Sequence, residues 1–182
     1  MTPVPGGWKA ETLFNLGGSQ GDGQVPSNGP LVADALGNIY GTTFSGGSNV
    51  CGNGGCGTIY RLTQLPGKGW REAILYNFRP PSTGSGYNPT AGVIVDKAGN
   101  LYGTAAYGGA ACGCGVVYRL TYNSNNTWTY TVLHQFVNSD GALPYSSLIF
   151  GAHGNLFGTT VGGGPYGGGV VFEISRASDG TR

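Results

Sequence analysis

Apolar and polar positions alternate along this chain in short runs, each bounded by glycine, asparagine or proline. In residues 8–16 (WKAETLFNL), Trp8, Ala10, Thr12, Phe14 and Leu16 fall on one side and Lys9, Glu11, Leu13 and Asn15 on the other. A period of two over this length predicts a strand. Residues 17–29 read as a Gly/Asn/Ser/Pro loop, and residues 1–7 as a tail. Four further strands are predicted at 31–33, 39–43, 58–63 and 70–78, with a hairpin turn at 34–38 (DALGN) and a Gly/Asn/Cys loop at 44–57. The order then restarts. Strands are predicted at 93–96, 100–105, 116–121 and 128–136, and again at 148–150, 155–160 and 170–175, followed by a polar tail.

The chain therefore writes one unit three times. Repeat 1 covers about 29–78, repeat 2 about 90–136, and repeat 3 about 146–175. The third unit lacks its fourth strand, and residues 8–16 carry the matching phrase, alongside WREAILYNF at 70–78 and WTYTVLHQF at 128–136. Asn38 to Asn100 spans 62 residues and Asn100 to Asn155 spans 55, the variation falling in loops, as expected when each repeat is one supersecondary unit. Four short antiparallel strands per unit predict an all-β fold of β-propeller blades, with the N-terminal strand closing the last blade. A single blade cannot bury both faces, so blades must stack. Propellers have about four to eight blades, so two identical chains would form a six-bladed ring. Alternatively, the chain is part of a longer array of repeats. A third option is a β-trefoil-like fold, ranked lower because each unit reads as a meander and the repeats run long.

Composition narrows the partners. Charged residues are 9% of the chain, aromatics 12%, and 37 of the 182 residues are glycine. A net charge of +1 provides no electrostatic footprint for nucleic acid or an anionic membrane. The longest apolar runs are a few residues, too short to span a bilayer. Residues 1–7 are short and uncharged, without the features of a signal peptide.

Few residues invite chemistry. Cys51 and Cys56 lie in the loop between the second and third strands of repeat 1, and Cys112 and Cys114 in the same loop of repeat 2. Four cysteines allow three pairings, and local pairing within each loop is the simplest. Thiolate metal ligation with His134 or His153 is the rival. Asp34 and Asp96 recur beside Gly37 and Gly99, the pattern of a turn cap, against a glycosidase-like acid pair. Asp22 and Asp140 precede glycine in the loops between repeats. They suit turns too, but are better placed for a ligand or for Ca²⁺. No catalytic motif or phosphate loop is present. Phe44, Tyr107 and Tyr166 follow the second strands, near Thr43, Thr104 and Thr160, and Tyr87 and Tyr145 fall between repeats. In propeller topology these two sets of loops emerge on one face, where aromatic rings with hydroxyls nearby suit stacking on sugars.

The phrases DKAGNLYGT (96–104), GVVYRL (115–120), WTYTVLHQF (128–136) and SDGALPYSSLIF (139–150) carry a resemblance. The chain resembles the GloVer-type tandem repeat of bacterial surface or secreted proteins over roughly residues 8–175. More loosely, it is similar to NHL-type propeller blades. It departs at Gly151, where the other copies have Asp. The resemblance implies a propeller-like, secreted or cell-surface bacterial protein and supplies no activity.

The reading that follows is a lectin-like extracellular module. It binds glycan or polymer through equivalent loops, self-associates as a homodimer, and has no catalytic residues, metal or cofactor. The alternatives are an extracellular polysaccharide-active enzyme and a purely structural assembly repeat.

Overall fold

In the computed structural model, residues 2–4, 6–52, 54–109 and 112–175 are described. Three antiparallel sheets follow one another along the chain, one for each repeat. In the first, β3 (Gly23–Pro26), β5 (Ile39–Gly46), β6 (Thr58–Leu65) and β7 (Gly69–Asn77) lie side by side, and β4 (Val32–Ala33) pairs with the start of β5. In the second, β9 (Ile94–Val95), β10 (Leu101–Ala105), β12 (Val116–Tyr122) and β13 (Trp128–Gln135) repeat the meander. The third holds β14 (Ile149–Phe150), β15 (Leu156–Thr159) and β16 (Val171–Ile174). The register repeats down to its irregularity. The ladder shifts between Ile59 and Tyr60 in sheet 1 and between Val117 and Tyr118 in sheet 2. Such a bulge bends the outer strand at the same level in both.

One short pairing at the N-terminal end lies outside the sequence expectation. β1 (Thr2–Val4) pairs with β2 (Gly7–Lys9), and Thr2–Val4 and Gly7 fall among the residues read as a tail. Of the strand expected at 8–16, only Trp8 and Lys9 are in β2, and residues 10–16 are outside any strand. Among the described residues, sheet 3 has three strands and is not completed by this segment. Alternation alone does not make a strand, because backbone donors and acceptors need a ladder partner. The polar tail read after Ser175 lies outside the described residues.

Neighbouring sheets share their cores. Between sheets 1 and 2, Ile59, Phe78, Val93 and Tyr118 are buried together. Between sheets 2 and 3, Val117, Phe136, Leu148 and Leu156 do the same. Tyr76 of β7 stacks on Tyr130 of β13 with ring centres 4.2 Å apart, and the edge of Phe78 meets Tyr118 at 5.4 Å. Hydrogen bonds cross both junctions at equivalent places. The Thr42 hydroxyl donates to the Ala91 carbonyl at 2.7 Å, and the Thr104 hydroxyl to the Ser146 carbonyl at 3.1 Å.

Asp34 and Asp96 are turn anchors. Asp34 Oδ1 accepts from the Leu36 and Asn38 amides, while Oδ2 accepts from the Asn38 side chain and the Tyr40 hydroxyl. Asp96 makes the same four bonds, with Ala98, Asn100 and Tyr102. Partial burial pushes both carboxyls up, but these hydrogen bonds outweigh it and hold them below the usual carboxylate range. Their stabilisation is present above the unfolded-state value and lost as the pH falls through the folded one. In sheet 3 the set changes together: Gly151, Phe157 and Glu173 stand where Asp, Tyr and Arg stand in sheets 1 and 2. A Cβ on Gly151 would lie 2.2 Å from the Phe157 ring, so the ring occupies the space of the missing carboxylate.

Candidate functional site

The candidate face is built by two loops per repeat, and the backbone ties them together. In repeat 1, β3 pairs with the far end of β5, Gly23 opposite Gly46. In repeat 2, β8 (Gly86–Tyr87) pairs with β11 (Tyr107–Gly108). In repeat 3 a single bridge joins Ala142 to Gly162. The inter-repeat loop and the loop after the second strand therefore emerge side by side in each repeat. Sequence reading missed this ladder because its strands are made of Gly, Gln, Pro and Tyr without alternation. The signal was the recurring glycine: a Cβ on Gly23 would lie 2.5 Å from the Thr43 methyl, and one on Gly86 would lie 2.4 Å from Ala105 Cβ.

The predicted residues divide by place. Thr43, Thr104 and Thr160 are buried behind this face. The Thr43 hydroxyl is shared with Thr58 at 2.9 Å, that of Thr104 crosses to Ser146, and that of Thr160 donates to the Gly162 carbonyl at 2.9 Å. Their hydroxyls serve the scaffold, and they leave the candidate surface. Phe44 is half-buried, and its carbonyl accepts from the Asn88 side chain at 2.6 Å. Tyr166 stands fully exposed on the Gly-rich loop of repeat 3.

Tyr87, Tyr107 and Tyr145 come together. The rings of Tyr87 and Tyr107 stack with centres 5.6 Å apart, and the Tyr107 and Tyr145 hydroxyls are hydrogen-bonded at 3.0 Å. That bond, with burial behind it, raises the Tyr145 phenol above its ordinary value. The three rings form one aromatic shelf at the junction of repeats 2 and 3, with Tyr145 outermost.

The acids are committed to turns. Asp22 Oδ2 accepts from the Ser19 amide at 2.7 Å. Asp140 Oδ1 accepts from the Val137 amide at 2.9 Å, and its Oδ2 lies 3.0 Å from His134 Nε2. The His134–Asp140 contact was not foreseen. His134 lies opposite Val117, as Tyr76 lies opposite Ile59, and so takes on β13 the place an aromatic ring holds on β7. Among the described residues, no three His, Cys, Asp or Glu side chains gather as a metal site would require. His153 is exposed in its turn. The cysteines are paired locally, Cys51 with Cys56 and Cys112 with Cys114, each bond stiffening its own loop. No thiolate remains for a metal among these four.

Two clefts accompany the loops. One, of about 580 Å³, lies between the Asp22 loop and the Cys51–Cys56 loop and is lined by Ser19, Gln20, Asp22, Gln24, Ser48 and Asn49 among glycines. The other, of about 620 Å³, lies where β7 meets β13, lined by Tyr76, Arg79, Ser85, Trp128 and Tyr130. The sequence pattern that defines the Gloeobacter/Verrucomicrobia repeat matches residues 1–182. The chain belongs to that repeat family. No curated protein matches it. No helix among the described residues of this Gloeobacter/Verrucomicrobia repeat protein is long and apolar enough to cross a membrane.

Glu72 on β7 has a buried Oε1 with no hydrogen-bond partner among the described residues. Burial, reinforced by the negative charge of Asp22, pushes its carboxyl up to about 7. A raised carboxyl favours the fold below the unfolded value near 4.5, and that contribution is lost as the pH rises through about 7. Glu72→Gln is therefore expected to stabilise the protein at pH 8 by up to about 1 kcal/mol once solvent screening is discounted, and to change little at pH 4. Thermal melts of both proteins at the two pH values check this. Equal melting temperatures at pH 8 would show that Glu72 is adequately solvated.

Proposed function

We propose that this repeat protein is an extracellular binding module of lectin type, acting through the loop face without catalysis. The observation that carries the reading is the shelf of Tyr87, Tyr107 and Tyr145, which lies on the same face as the polar cleft around Asp22. Stacked aromatic faces bordered by hydroxyl and amide groups suit the apolar faces and equatorial hydroxyls of sugar rings. Tyr166, on the equivalent loop of repeat 3, adds a further exposed ring. Paired disulfides in two of these loops fit an oxidising compartment, so the module belongs at the cell surface or in the medium. The three sheets are propeller-like blades, and two chains together supply six of them. Repetition places related loops side by side in every repeat, and multivalency raises avidity for a polymer.

The test is a glycan array followed by titration of the best polysaccharide, with Tyr145→Ala and Tyr107→Phe beside the unmodified protein. Tyr145→Ala is expected to weaken binding about tenfold, the cost of losing one stacked ring. Tyr107→Phe keeps the ring and is expected to weaken it less. A silent array, or binding indifferent to both substitutions, would remove the shelf as the site.

A further inference from the structure

The two junctions inside the chain show what a finished junction looks like. Both outer ends of the three-sheet array carry one half of it. On the leading side of each sheet, one apolar residue packs against the preceding repeat: Val93 and Leu148 are each 1% exposed, and Leu31 at the same place is 59% exposed. On the trailing side, Ile59 and Val117 are each 0% exposed, and Val171 at the same place is 80% exposed.

The backbone tells the same story. Asn88 and Leu143 adopt positive φ, of 50° and 58°, and each amide donates at 2.8 Å to the preceding repeat, to the carbonyls of Cys56 and Cys114. Val25 holds the same conformation, with φ 54°, in an exposed position on the first repeat. A β-branched residue adopts that conformation rarely. The counterpart of Cys56 and Cys114 in repeat 3 is Gly168, also exposed.

The last half-junction is a strand. β16 has no outer neighbour among the described residues, whereas β6 and β12 are covered by β7 and β13. The residues 8–16, which match β7 and β13 in sequence, lie mostly exposed, with Trp8 at 69%.

We infer that repeats 3 and 1 of two copies of this chain form a head-to-tail junction of the kind seen between repeats 1 and 2. The inference rests on the self-association part of the proposed reading and is independent of the ligand. Residues 8–16 of one copy lie along β16 of the other, in the register of the inner pairs, with Phe14 opposite Val171. Sheet 1 of the first copy then stacks on sheet 3 of the second, covering Leu31 and Val171 together. The interface is heterologous, because two different surfaces meet. The register also sets Glu11 opposite Glu173, a like-charge pair that weakens the contact.

The experiment is light scattering on the full chain and on Leu31→Asp and Val171→Asp. Both sites are exposed in the single chain, so circular dichroism should show each variant folded. The unmodified chain is expected at twice 18.6 kDa or a higher multiple. Each variant is expected to lose association about 100-fold, to monomer at micromolar concentration. Mixing the two variants restores a pair through the one intact junction, which a contact of either surface with its own copy could not do. Glu11→Lys is expected to tighten association, and a mixture of Phe14→Cys and Val171→Cys chains to cross-link under oxidation. An unmodified chain that stays monomeric overturns both the self-association reading and this inference. Association indifferent to Leu31→Asp and Val171→Asp overturns this interface and leaves self-association standing.

Discussion

Phe78→Ala is expected to cost about 3–5 kcal/mol of stability, the range for removing a fully buried aromatic ring. Phe78, the residue directly after β7, is completely buried between sheets 1 and 2. Its ring meets Tyr76 at 5.2 Å, Tyr118 at 5.4 Å and Tyr130 at 6.0 Å, so its loss leaves three tyrosines around a void. One of those tyrosines, Tyr118, has a buried hydroxyl without a partner among the described residues, so the cavity gains no polar compensation there. Chemical denaturation should show a lower midpoint, and a thermal melt a fall of about 10 °C. Leu36→Ala is the control. Leu36 is 89% exposed in its turn, and the change should fall within about 0.5 kcal/mol. A Phe78→Ala variant as stable as that control would mean that the two sheets do not share a core.

Gly57→Ala should cost about 3 kcal/mol for a different reason, a positive φ combined with overpacking. Gly57 has φ +89°, and a Cβ there would lie 2.3 Å from the Thr43 carbonyl oxygen and 2.8 Å from Pro89 Cδ of the next repeat. Its carbonyl also accepts the Phe78 amide at 3.0 Å, so movement of this glycine disturbs the end of β7. Gly52→Ala separates the two costs. Gly52 has φ +60° with open space around its missing Cβ, so only the backbone term of about 1 kcal/mol applies. Urea titration of both variants checks the ranking. Equal midpoints would show that the chain at Gly57 can move aside.

Much of this architecture was legible from recurrence rather than from any single run. The phrase around Asp34 and Asp96, with its Gly and Asn, specified the hairpin, and all four side-chain hydrogen bonds appear in both copies. The local cysteine pairs were equally readable, because glycine-rich loops close easily. What escaped was contact set by tertiary approach. The Tyr107–Tyr145 bond joins residues 38 apart across a junction, and nothing in either local sequence selects the partner. The threonines show the opposite error. Their nearness to aromatic loop residues suggested a binding surface, yet Thr43 and Thr104 are wholly buried and donate inward. The strand at residues 8–16 was read from alternation, which records the two faces a segment could present and not whether a ladder partner stands beside it.

The loop tips have one more property. Each is clasped by a main-chain hydrogen bond, from the Gly57 amide to the Gly46 carbonyl, Gly115 to Gly108, and Gly169 to Gly163, at 3.2, 2.9 and 3.0 Å. Repeats 1 and 2 add a disulfide to this clasp, while repeat 3 keeps it without any cysteine. Loop shape is thereby decoupled from the identity of the side chains displayed at the tip. Val50 and Tyr166 are interchangeable cargo on a common clip, and selection can rewrite what the face recognises without renegotiating the fold beneath it.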